Sequence, residues 1–78
     1  EKKIEYLLQS FEKAVGVSVY EAIPHFDQLD GKKRKLLLCR YVEYQKVEDI
    51  LSEMCISDGY YWKLHKKALK ELQAILAA

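Results

Sequence analysis

The residues with chemistry to offer cluster between Ser57 and Lys67, where Tyr60, Trp62, Lys63, Lys66 and Lys67 gather around Gly59. Ammonium groups can neutralise phosphates or meet guanine edges. Aromatic rings can meet thymine methyls or the sugar-phosphate backbone. Such a set points to non-covalent recognition of nucleic acid. The backbone amides near Ser57 to Gly59 would open a helix and could hold a phosphate, with Gly59 permitting close approach. A second cationic group, Lys32, Lys33, Arg34 and Lys35, offers further phosphate contacts, above all from Lys32, Lys33 and Arg34. Plainer readings stand beside each of these. The lysines would also suit a solvated helix face, and Tyr60 and Trp62 would also suit a place under the first helix. His65 reads as a packing or capping residue rather than a base reader.

Bond-making chemistry has little to work with. His25 beside Pro24 has no visible catalytic partner, and no Ser/His/Asp or Cys/His arrangement is present. Cys39, Cys55, His25 and His65 contain no pair at metal-ligand spacing. There is no glycine-rich phosphate loop. The expectation is a non-enzyme with no cofactor and with two reduced thiols.

The elements that must position these residues can be read in order. Ile4, Leu7, Leu8, Phe11 and Val15 recur at helical steps over residues 3–15, and Gly16 is a natural stop. Glu1, Lys2, Glu5, Glu12 and Lys13 fall mostly on the other side. Ser18 and Glu21 have capping-box spacing for a short second helix. Pro24 either ends that helix at Ile23 or opens a fresh turn through Leu29. Asp30 is the expected N-cap of a third helix running to about Tyr44, with Leu36, Leu37, Cys39 and Tyr41 as its apolar surface. Arg40 is expected to pair with Glu43 or Asp49, or to reach a phosphate. Glu43 to Lys46 connects this helix to the organising stretch, Val47 to Leu72.

That stretch reads as a short helix, a tight turn and a longer basic helix. Ile50 and Met54 share a face of the first, and Tyr61 and Leu64 face back from the second. Ile56 plugs the angle and Ser57 caps the second helix, with Asp58 at its positive end. Two helices so joined form a helix-turn-helix, and the residues left outward would face a major groove. The last helix extends to about Ala77, with an inner stripe of Tyr61, Leu64, Ala68, Leu72 and Ile75. A second row, Trp62, Leu69 and Leu76, is suited to receive the first helix or a second subunit.

Few glycines and one proline argue for an all-α domain of four to five helices. No apolar run is long enough to span a membrane, and no signal peptide is visible. A cytoplasmic location follows as an expectation. The chain begins with glutamate and is read as a trimmed domain or part of a longer protein. The net charge of +1 conceals segregation, because residues 31–40 carry five positive charges and no negative one. Clustering of that kind bears on nucleic acid more than the total does.

From Leu29 to Leu72 the chain resembles region four of bacterial sigma factors. The residues that carry the likeness are Leu29, Asp30, Arg34, Leu36, Arg40, Tyr41, Ile50, Met54, Ile56, Ser57, Tyr61, Leu64, Ala68, Leu69 and Leu72. It is most similar to small phage-encoded late-transcription regulators of the ArpU and RinA type. Tyr60, Trp62, Lys63, Leu64, His65, Ala68 and Leu69 match their aromatic-x-aromatic-basic-Leu-His-x-x-Ala-Leu pattern. The chain departs from the family at Leu51, where a small residue is usual, and at Cys55, where glycine is usual. A left-handed cysteine would cost about 1 kcal/mol, or else the turn is longer than the standard one.

The resemblance implies a sigma-like unit over 29–78, with N-terminal helices of unassigned role over 1–28. It implies a DNA-binding domain of a phage or prophage transcription regulator in a bacterial host, with residues 58–70 in the major groove. The alternative is a protein-interaction module contacting RNA polymerase or another regulator. A homodimer through residues 3–15 and the last helix is a further expectation.

Overall fold

The computed structural model describes residues 2–78. Glu1 and the Lys2 side chain, assigned above to the polar side of the first helix, lie outside the described residues. The fold is all-helical: α1 (Lys2–Val15), α2 (Val19–Ala22), a 3-10 segment (Ile23–Gln28), α3 (Gly31–Leu37), a π segment (Leu38–Val42), α4 (Val47–Met54) and α5 (Asp58–Ala77). No described helix is long and apolar enough to cross a membrane.

Local signals set most of the boundaries. Gly16 ends α1 at φ +98°, a conformation open to glycine without penalty. The Ser18 hydroxyl accepts from the Glu21 amide at 3.3 Å and opens α2. Pro24 does not stop the chain there. It sits in the first turn of the 3-10 segment, where its missing N–H is not needed. The Asp30 carboxylate accepts from the Lys33 amide at 3.0 Å and caps α3.

One element departs from expectation. The third helix does not continue as an α-helix to Tyr44 but widens into the π segment after Leu37. The Glu43 amide bonds the Leu38 carbonyl and the Gln45 amide bonds the Cys39 carbonyl, both at 2.9 Å. Arg40 donates from Nη1 to the Gln45 carbonyl at 2.9 Å. The expected Arg40 pairing with Glu43 or Asp49 is therefore corrected. Its guanidinium satisfies a backbone carbonyl of the connection that follows the π segment. Tyr44 follows at φ 56°, in the left-handed region.

The core is built on α5, against which α1, α3 and the 3-10 segment pack. Tyr61, Leu64, Ala68 and Leu72 supply its buried stripe. Phe11 and Val15 enter from α1, Phe26 from the 3-10 segment, Leu36 and Leu37 from α3, and Ile50 from α4. Phe11 meets Tyr41 edge-on with centroids 4.8 Å apart. Burying one such aliphatic or aromatic side chain contributes about 1.5–3 kcal/mol, so this one cluster carries the fold.

The turn between α4 and α5 is short. Cys55 adopts φ 55°, ψ 47°, and the Ile56 amide bonds the Leu51 carbonyl at 3.1 Å. This is a Schellman-type ending with cysteine in place of glycine. Leu51 is accommodated partly buried against the core, alongside Ile56. The departures at Leu51 and Cys55 thus leave a compact turn rather than a lengthened one.

Candidate nucleic-acid interface

The Ser57 hydroxyl accepts from the Tyr60 amide at 3.2 Å and starts α5. That cap, with Asp58 in the first turn, fixes where every later side chain points. At 3.6 residues per turn, Lys63, Lys66, Lys67 and Lys70 share an arc of about 100° opposite the buried stripe. All four are exposed. Lys70 was not among the residues singled out from sequence. Its signal was present in the same three- and four-residue steps that link Lys63, Lys66 and Lys67.

Packing of α3 against α5 adds a cation from another element. The Lys32 ammonium lies 5.9 Å from the centre of the Tyr60 ring. Lys32, Tyr60, Lys63 and Lys67 line one groove of about 580 Å³. The start of α3 and the first three turns of α5 therefore present a single basic, aromatic-edged surface. Tyr60 is 40% exposed. Gly59 is exposed too, and a Cβ placed on it would meet nothing within 4 Å, so the fold makes no demand for glycine there.

The tetrad of α3 is divided by its surroundings. Lys33 is held by carboxylates, with Asp30 at 3.2 Å and Glu71 of α5 as its second partner. The Glu71 hydrogen bond, followed by that of Asp30, raises the Lys33 pKa. Arg34 lies 3.7 Å from Asp27. Lys33 thus ties α3 to α5, Arg34 makes only an exposed surface pair, and Lys32 joins the α5 lysines.

Trp62 takes the opposite flank of α5. It is 49% exposed, so the alternative of burial under the first helix does not hold. Its ring stands edge-on to Tyr61 at 4.9 Å and to His65 at 5.6 Å. His65 is a packing residue. Its Nε2 lies 2.7 Å from the Tyr41 hydroxyl, and its ring stacks on Tyr41 and Tyr61. Burial, and after it the Arg40 charge, push the His65 pKa down to about 4. The ring is neutral at pH 7 and adds no charge to the basic face.

The thiols sit in contrasting places. Cys39 is buried and donates to Glu53 at 3.4 Å, and burial pushes its pKa up to about 11. It is a thiol, not a thiolate, at neutral pH. Cys55 is exposed in the turn, and neither cysteine is in a disulfide.

Comparison with protein-family models, curated proteins and solved structures gives no match for this chain. The likeness to sigma region four therefore rests on the residues quoted for it.

Proposed function

We propose that this chain is a duplex-DNA-binding domain of a phage or prophage transcription regulator, acting in the cytoplasm of a bacterial host. In this reading α5 enters the major groove over about residues 58–70. The observation that carries it is the convergence of Lys32 with Lys63 and Lys67 beside the exposed Tyr60, continuous with Lys66 on the outer face of α5. Lys63 and Lys67 meet phosphates or guanine edges, and Lys66 and Lys32 meet flanking phosphates. Tyr60 packs on a thymine methyl or the sugar-phosphate backbone. The amides around Ser57 to Gly59 add a phosphate contact, although the Ser57 hydroxyl already occupies the Tyr60 amide. The resemblance to ArpU and RinA type regulators supports the same assignment.

Lys63→Ala is the direct test. It removes one exposed cation and no core contact, so the melting midpoint should hold within about 0.5 kcal/mol. Affinity for duplex DNA should fall by about 1–3 kcal/mol if Lys63 reads a guanine. A variant that binds as well as the parent would remove Lys63 from the interface.

A further inference from the structure

A second groove, of about 930 Å³, opens on the Trp62 flank of α5, away from the lysine face. Its rim carries three large aromatic side chains in contact with water. Tyr6 of α1 is 74% exposed, Trp62 is 49% exposed and Tyr44 is 38% exposed. Exposed rings converging on one concavity mark a binding surface rather than scattered surface residues. Lys3, Arg40 and Lys46 also line it, and no described residue lining it is a carboxylate. The neighbouring Glu43 is turned to the Gln45 side chain at 2.8 Å.

Unusual backbone builds this groove. The π segment supplies Arg40, and Tyr44 holds the left-handed conformation that an L residue adopts at a cost. Arg40 is tied to the Gln45 carbonyl, so its guanidinium is fixed at the groove before anything binds. Fixed donors lose little freedom on binding.

We propose that this groove docks a peptide segment of a protein partner that carries carboxylates beside aromatic or leucine side chains. Charge complementarity selects the occupant: three cations with no carboxylate among the described lining residues call for carboxylates, and the aromatic rim calls for apolar anchors. Single-stranded nucleic acid matches the cations, but the Ile4, Leu7 and Val47 side chains that also line the groove favour a peptide. The proposal is independent of the DNA reading, because none of its residues belongs to the lysine face except through the shared helix.

The test uses the full chain and a labelled twelve-residue peptide of alternating glutamate and leucine with one phenylalanine. Its controls are the same peptide with glutamine for glutamate, and a twelve-residue oligothymidine. Anisotropy of the label gives affinity, and emission from Trp62, the single tryptophan, reports occupancy of the groove. The acidic peptide should saturate and shift the Trp62 emission, and the glutamine peptide should bind at least tenfold more weakly. Tyr6→Ala should weaken binding about tenfold and Lys46→Gln about threefold, with unchanged melting curves. Equal binding of the two peptides, or no saturable binding, overturns the proposal. So does preferential binding of the oligothymidine. Self-association that Tyr6→Ala abolishes while the acidic peptide has no effect also overturns it, assigning the groove to a second copy.

Discussion

Tyr61 is fully buried, and its hydroxyl meets no hydrogen-bond partner among the described residues. An unsatisfied buried hydroxyl costs about 1–3 kcal/mol. Tyr61→Phe should therefore raise stability by about 1 kcal/mol, or roughly 4–8 °C in melting midpoint for a domain of this size. A lower midpoint would show that the hydroxyl is satisfied in solution. His65 makes a different prediction. Its folded pKa of about 4 lies below the ordinary 6.5, so unfolded chains bind the proton first as pH falls. The stability from keeping the ring neutral is fully present above about pH 6.5 and is lost down to about pH 4, by at most about 3 kcal/mol. Urea midpoints across that window should fall steeply for the parent and more gently for His65→Gln. Equal slopes would contradict the assignment. The caps at Ser18, Asp30 and Ser57 were legible in the sequence because each joins residues three apart. The Lys33 pairing with Glu71 was not, because it spans 38 positions and exists only once α3 lies on α5.

Among the elements, α1 and α5 were readable because their apolar periods run for several turns. Gly16 and Ser57 then set their limits. The π segment was not readable. Nothing in Leu38–Val42 forbids an α-helix by propensity, and the wider turn goes with burying Cys39 and Tyr41 together against the core. The turn between α4 and α5 lies between these cases. Its place was clear from Ile56 and Ser57, while its geometry depended on Cys55 accepting φ 55°. Cys55→Gly should relieve that strain and raise stability by about 0.5–1 kcal/mol, read from chemical denaturation, with the orientation of α5 retained. A loss of stability would mean that the Cys55 side chain contributes more than its backbone costs.

At the scale of the molecule, the segregation of charge along the chain became segregation in space. The basic run of α3 and the lysines of α5 are far apart in sequence, yet Lys32 reaches the Tyr60 ring. The sequence showed that the two basic groups existed. It could not show that Lys33 would be taken up by Asp30 and Glu71, or that Trp62 would face a groove distinct from the α5 lysines. The central claim is that the outer face of α5 binds duplex DNA by neutralising phosphates. It is tested most directly by measuring affinity for duplex DNA across a salt series, for the parent and for Lys66→Ala/Lys67→Ala. With Lys63 at a guanine edge, phosphate contacts from Lys32, Lys66 and Lys67 predict a log–log slope near −3 for the parent, about −0.9 per phosphate, and a slope about two units shallower for the double variant. Absence of binding at low salt, or a slope that the double variant leaves unchanged, would contradict the account.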